Sequence, residues 1–299
     1  MPRGVLRVRE RLIHVGLFFS ALLSVATTAG IIWVLAVESF RFFAHKDVTV
    51  FSFLSGSNWS PLLEPRSYGV LPLVCGTFLI AGGALLLAVP VGLAAGIFLS
   101  DYAPPRVRAF LKPTLEILAG IPTVVYGYFA LTFVTPHLIK PLFPATQVFN
   151  AASAAIVVGV MIIPTVASLC DDAFRAVPRT LREAAYALSA TRLEVSLRIV
   201  LPAGLSGVVA AVLLAFARAV GETMAVTIAA GSNPQLTLNP LDAVQTLASY
   251  IAQISMGDTP HGSIEYQTIY AVGMLLFLTT LAFNVIAHVV LGRFREVYD

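Results

Sequence analysis

Residues 183–202 read EAAYALSATRLEVSLRIVLP, a charged and helix-favouring run between two long apolar stretches. Charge runs of this kind are commonly solvated amphipathic helices linking two spans. The alternative is a cytoplasmic docking loop, and the flanking sequence bears on the choice.

The chain is 58% hydrophobic and 12% charged, with a mean hydropathy of +0.85. Soluble domains carry charge on about a quarter of their residues, so this composition predicts a polytopic membrane protein. Cys75 and Cys170 both lie in apolar segments, and the five histidines are scattered. Neither a disulfide framework nor a metal site is expected. The net charge of +3 follows membrane topology and forms no compact basic patch. Membrane lipid is therefore an expected partner and nucleic acid is not.

A membrane span needs about 20 apolar residues to cross a core about 30 Å thick. Six stretches qualify, at residues 12–37, 68–99, 111–135, 151–170, 205–230 and 267–291. The first exceeds the apolar region of about 7 to 15 residues found in signal peptides, so it reads as a retained span. The expected fold is all-α, with six transmembrane helices in one domain over residues 1–299 and a charged loop at about 171–204. Of the nineteen lysines and arginines, four precede the first span, Arg106, Arg108 and Lys112 form a loop after the second, and five lie in the charged loop. Arg293 and Arg295 follow the sixth span, whereas Arg41, Lys46, Arg66 and Lys140 fall on the other side. Cations gather on the cytoplasmic side, which places both termini and the charged loop inside. The outer connections at 42–67 and 232–266 carry Pro, Gly, Ser, Asn and aromatic residues with few cations, and they can receive an external partner.

The fifth span holds AFARAVGETMAV, residues 215–226, with Arg218 and Glu222 four apart and therefore expected on one helix face. Ionisable groups at bilayer depth cost about 2.5 to 3.5 kcal/mol each on insertion scales, and they normally face a polar path or one another. Arginine suits a tetrahedral oxyanion because its planar fork gives paired, charge-assisted hydrogen bonds. Glu222 can accept a hydroxyl from an anion that still carries a proton, as phosphate does near neutral pH, whereas sulfate has none to offer. Two other readings stay open: a structural ion pair, or a gate that opens when substrate competes for Arg218.

The third span holds LAGIPTVVYG, residues 118–127. Pro122 removes a backbone donor and predicts a kink, with Thr123 and Tyr126 able to satisfy the freed groups. Glu116 is expected near that span's start, where an acid favours the positive helix end. Pro90, among Gly82, Gly83, Gly92 and Gly96, reads as a packing device.

Residues 183–202 resemble the EAA pattern of bacterial ABC importer permeases. Glu183, Ala184, Ala185, Ile199, Leu201 and Pro202 match in spacing, and Ser189 stands where the family has glycine, keeping the position small and turn-compatible. The resemblance implies a type I importer permease architecture, with a coupling helix seated in an ATP-hydrolysing partner. The run Arg218 to Met224 resembles the C-type permease subunit of phosphate-specific ABC importers, and Ile-Pro-Thr-Val-Val-Tyr-Gly resembles a third-span element of both phosphate permease subunits. The A-type sister continues Gly-Glu-Thr with Ala-Pro, whereas this chain has Met224, Ala225 and Val226.

The resemblance implies a transmembrane permease subunit for inorganic phosphate import by alternating access, in a bacterial inner membrane. Its partners would be an A-type sister permease, a dimer of ATP-binding subunits and an external phosphate-binding protein. Arg218, Glu222, Thr223, Thr123 and Tyr126 are the candidate pathway residues, and Glu183, Ala184, Ala185, Ser189, Ile199, Leu201 and Pro202 the candidate coupling residues. The chain itself is expected to need no cofactor, with ATP and Mg in the partner ATPase. Molybdate, sulfate or phosphonate remain alternative cargoes, and an ion-coupled secondary transporter a second class. No HExxH, GxSxG or paired catalytic carboxylates point to an enzyme.

Overall fold

The computed structural model describes residues 3–46, 48–260 and 262–294. It opens with α1 (Arg3–Phe43), a short α2 (Val50–Ser55), and a two-stranded antiparallel hairpin of β1 (Trp59–Ser60) and β2 (Ser67–Tyr68). Next come α3 (Leu71–Ile97), extended by a π-helical turn to Tyr102, then α4 (Pro105–Ala119) and α5 (Thr123–Phe129), extended in π-helical form to Ile139. They are followed by α6 (Ala151–Ala176), α7 (Arg179–Ala187), α8 (Arg192–Val195), α9 (Leu201–Ala203) and α10 (Leu205–Val220). The chain continues through α11 (Met224–Ala230), α12 (Leu247–Met256) and α13 (Ile264–Phe294). Arg295 and the extreme N-terminus lie outside the described residues.

Four described helices, in α1, α3, α6 and α13, are long and apolar enough to span a membrane, and the count reaches six only if each of two bent pairs is one span. The third expected span is therefore not a single straight helix. Its halves, α4 and α5, meet at 84°. The bend falls at Gly120, Ile121 and Pro122, where proline cannot continue the hydrogen-bond ladder. Arg106, Arg108 and Lys112, expected in a loop, lie in α4, which Pro105 opens with a backbone angle suited to a first helical position. Glu116 consequently sits in the last turn of α4 and not near a helix start. The fifth expected span is interrupted as well, because α10 ends at Val220 and α11 begins at Met224. A further 73° bend at Gly204 separates α10 from the helical segment before it.

The frame is α3 against α6. Without a hydrophobic drive between helices in lipid, close backbone approach supplies the packing, and small residues permit it. A Cβ on Gly92 would lie 2.7 Å from Val166 Cβ, and one on Gly96 would lie 2.6 Å from Cys170 Cβ. The core follows this seam through Ala81, Ala84, Ala88, Val158, Ile162 and Val166. Over the end of the bundle opposite α7 lies a second apolar cluster, in which Phe53, Trp59 and Tyr250 meet edge to face. The 232–266 connection includes a helix, α12, and a turn at Pro240 to Asp242 caps α6. Ala151 and Ala152 amides donate to the Asp242 and Pro240 carbonyls at 3.0 and 2.7 Å, serving helix-start donors that otherwise lack partners.

Candidate functional site

Arg218 occupies the last turn of α10. Its guanidinium donates to Thr165 Oγ1 on α6 at 3.2 Å and to the Ala119 carbonyl at the end of α4 at 3.4 Å. A cation is favoured beside a helix C-terminus, where carbonyls lack intrahelical partners. Both acceptors are neutral, and Arg218 makes no ion pair among the described residues. The guanidinium charge is thus solvated by dipoles and left without a counter-charge.

Glu222 lies beyond the end of α10, and so the expected shared helix face with Arg218 is not realised. Gly221 caps α10, and the Glu222 carboxylate accepts the Ala225 amide at 3.2 Å, closing the start of α11. Glu222 is 9% exposed, and its carboxylate takes no second hydrogen bond from the described residues. The structural ion pair between the two is therefore absent. The local sequence explains the break, since Gly221 favours termination and Glu222 supplies an acceptor for orphan amides of the next helix.

Thr223 sits at the junction, its hydroxyl donating to the Gly221 carbonyl at 3.1 Å. Thr123 opens α5, just past the other break. Tyr126 donates its hydroxyl to the Leu118 carbonyl at 3.1 Å, spanning the Pro122 corner. The two broken helices pack together: a Cβ on Gly127 would lie 2.9 Å from Ile228 Cβ and 3.0 Å from the Ala225 carbonyl oxygen. Both motifs singled out in the sequence thus fall at helix breaks, with Arg218 bridging from one break to α4 just before the other.

The candidate coupling residues lie elsewhere. Helix α7 carries Glu183, Ala184 and Ala185, with no residue buried, and Leu181 and Ala185 turned toward the core. It ends in a two-bond closure, in which the Ala190 amide donates to the Ala185 carbonyl at 3.2 Å and the Ser189 amide to the Tyr186 carbonyl at 2.9 Å. This closure needs a left-handed residue at the turn. Ser189 takes that conformation, with φ 63°. The serine therefore preserves the sharp turn at a backbone conformation that glycine adopts without steric cost. Thr191 then caps α8 in a reciprocal box with Glu194, and Ile199, Leu201 and Pro202 follow in the last turns before Gly204. Leu188 is 85% exposed at the tip, beside exposed Tyr186 and Leu193.

Two charge clusters that the sequence reading missed fasten this end. Asp171, fully buried near the end of α6, accepts from Arg108 at 2.7 Å and Lys112 at 3.3 Å, both on α4. Asp101 accepts from Arg182 and, at 2.6 Å, from Ser196 Oγ, while Arg182 also donates to the Phe174 carbonyl at 2.6 Å. The acids at the ends of apolar spans were a signal. Their partners, 59 to 95 residues away, were not legible from the sequence.

Residues 88–296 match the family model described as binding-protein-dependent transport system inner membrane component. A probable ABC transporter permease protein, YqgH of Bacillus subtilis, is 35% identical over 88% of this chain and 84% of its own length. The phosphate transport system permease protein PstC of Mesorhizobium japonicum is 32% identical over 81% of this chain and 79% of that protein. A probable PstC from Methanocaldococcus jannaschii is also 32% identical, over 80% of both. Among solved structures, a bacterial alginate ABC transporter bound to its alginate-loaded periplasmic protein aligns with a TM-score of 0.64 at 14% identity, covering 93% of both chains. The inward-facing MetNI methionine ABC transporter aligns at 0.56 and 17% identity, covering 76% of this chain and 95% of that one.

Proposed function

The chain belongs to the family of binding-protein-dependent transport system inner membrane components, and from that premise we propose that it is the C-type permease subunit of an ATP-driven inorganic phosphate importer. It is a multi-pass membrane protein, and both termini face the cytoplasm in this reading. Substrate is delivered by an external phosphate-binding protein, and ATP with Mg is turned over in a dimeric ATPase joined to this chain and an A-type sister. The chain supplies the path, not the hydrolysis.

The observation that carries the cargo assignment is Arg218. It is a half-buried cation at the meeting of α10, α4 and α6, held only by neutral acceptors. An oxyanion can displace those weak, long contacts without first breaking an ion pair, and the guanidinium fork fits it. Glu222, with one carboxylate oxygen free of hydrogen bonds from the described residues, accepts a hydrogen bond from the hydroxyl that phosphate still carries. A fully deprotonated anion such as sulfate leaves that carboxylate unmatched. Thr123, Thr223 and Tyr126 line the same two breaks, and Thr223 and Tyr126 exchange their backbone acceptors for substrate as the helices move.

Movement begins at the exposed coupling helix. Glu183, Ala184, Tyr186 and Leu188 face outward for the ATPase, while Arg182 ties the same helix to the ends of α3 and α6. A displacement of α7 therefore pulls on α6, which carries Thr165, one of the two holds on Arg218. This links nucleotide-driven closure to the path.

The test is labelled-phosphate uptake by cells whose own high-affinity importer is replaced by this chain with its operon partners, challenged with excess sulfate and molybdate. Uptake that requires this chain and ignores both competitors is the expected result. An assembled complex that takes up no phosphate overturns the cargo and leaves the permease family intact.

A further inference from the structure

Between the coupling helix and the ends of α3 and α6 lies a cavity of about 360 Å³, walled by Asp101, Arg175, Arg179, Arg182, Glu183 and Tyr186. Three guanidiniums thus face two carboxylates, and the carboxylate of Asp101 is already taken by Arg182 and Ser196. Arg175 and Arg179 are exposed and have no acceptor among the described residues. The first turn of α7 forms one wall. It carries no acid, its cap is Pro178, and no side chain bonds its leading amides. Helix starts ordinarily attract acids, and here arginines stand in that place. With Arg182 and Asp101 paired, two guanidiniums remain against the single carboxylate of Glu183, so the concave space keeps a net positive charge, whereas the Asp171 cluster is neutralised by its own cations.

We propose that this cavity binds a phosphate group, held by Arg175, Arg179 and the start of α7, and that its occupancy positions the coupling helix. Two sources carry that chemistry: the headgroup of an anionic phospholipid in the adjoining leaflet, and free inorganic phosphate. The cavity opens at the end of a span, where Phe98 and Tyr102 are part-exposed, at 44% and 37%. Aromatic residues at that level favour the membrane interface, and basic pockets between spans bind anionic headgroups. Because Glu183 and Tyr186 belong to both the cavity wall and the coupling helix, a bound phosphate group biases how the helix presents itself to the ATPase. The site does not depend on the cargo assigned above, and its placement at the inner leaflet rests on the proposed orientation.

The intact importer complex, stripped of endogenous lipid, is incubated with phosphatidylglycerol or phosphatidylcholine and read by native mass spectrometry. In a parallel arm, radiolabelled inorganic phosphate is equilibrated with the complex in phosphatidylcholine nanodiscs, in an Arg218→Ala background that removes the pathway cation. The expected result is preferential retention of phosphatidylglycerol, falling about tenfold or more in Arg175→Gln/Arg179→Gln, the scale expected when two interfacial cations leave an anionic headgroup. Arg175→Lys/Arg179→Lys should recover part of it. Phosphate retention that the glutamine pair abolishes, without lipid preference, assigns the same site to the free anion. Should the glutamine pair fail to assemble, the parent complex decides. No preference for phosphatidylglycerol and no phosphate retention in the parent, or retention unchanged in an assembled variant, overturns the proposal.

Discussion

The two charged regions of this molecule are built on opposite rules. At the coupling end the buried acids are matched: Asp171 holds Arg108 and Lys112, and Asp101 holds Arg182. At the helix breaks Arg218 is held by a hydroxyl and a carbonyl, and Glu222 by a backbone amide. Matched charges fasten helices, because removing one partner strands the other. Unmatched charges held by neutral dipoles remain available to a ligand. In the function proposed above, the fasteners transmit movement and the unmatched pair meets the cargo.

The difference is most directly broken at Arg218. Arg218→Ala should reduce labelled-phosphate uptake to background while the complex still co-purifies, because no ion pair is lost with it. Failure to assemble would make Arg218 a fastener like Asp171. Asp171→Ala should do the reverse, destabilising the complex by about 3 kcal/mol by stranding Arg108, whereas Lys112 keeps Asp172. Thermal unfolding of the detergent-solubilised complex reads this, and uptake per folded complex should change far less than in Arg218→Ala.

Glu222→Gln sharpens the unmatched side. It keeps an acceptor for the Ala225 amide but removes the negative charge, so sulfate should begin to compete for uptake, with a gain of about tenfold corresponding to 1.4 kcal/mol. Unchanged indifference to sulfate would remove Glu222 from selection. Ser189→Gly addresses the coupling loop, where a non-glycine residue at φ 63° carries a conformational cost. A gain of about 1 kcal/mol is expected, seen as a higher midpoint of unfolding, with ATPase stimulation unchanged.

The smallest effect is at the start of α8. The Thr191 backbone amide and hydroxyl hold the Glu194 carboxyl below its ordinary value of 4.5. A lowered folded value means that this cap contributes above the ordinary carboxylate range and is lost as pH falls through the lowered one. The protection of α8 amides, relative to their intrinsic exchange rates, should therefore fall only in acid, and Thr191→Ala should lower it at neutral pH too. Equal protection of both proteins would dismiss the cap.

Much of this was legible in the chain. Apolar length and the placement of cations called for an all-helical membrane protein, and the spacing from Glu183 to Pro202 pointed to the importer permease family, because such patterns are local and periodic. Pro122 announced its break, and Gly92 and Gly96 their close packing. The interruption at Gly221 was in plain sight as Gly-Glu-Thr, but apolar residues resume on both sides of it, so a continuous helix was expected and the Arg218–Glu222 face with it.

What the sequence determined was what each segment must do on its own: cross a bilayer, bend, or stay in water. Only the tertiary structure decided which charges are matched. Arg218 meets Ala119 and Thr165, and Asp171 meets Arg108, across separations of 53 to 99 residues. Hydrophobic period and local propensity act over a few turns of helix, whereas such pairings are fixed by how α4, α6 and α10 cross. That crossing depends on packing small residues against one another, and no single segment carries it.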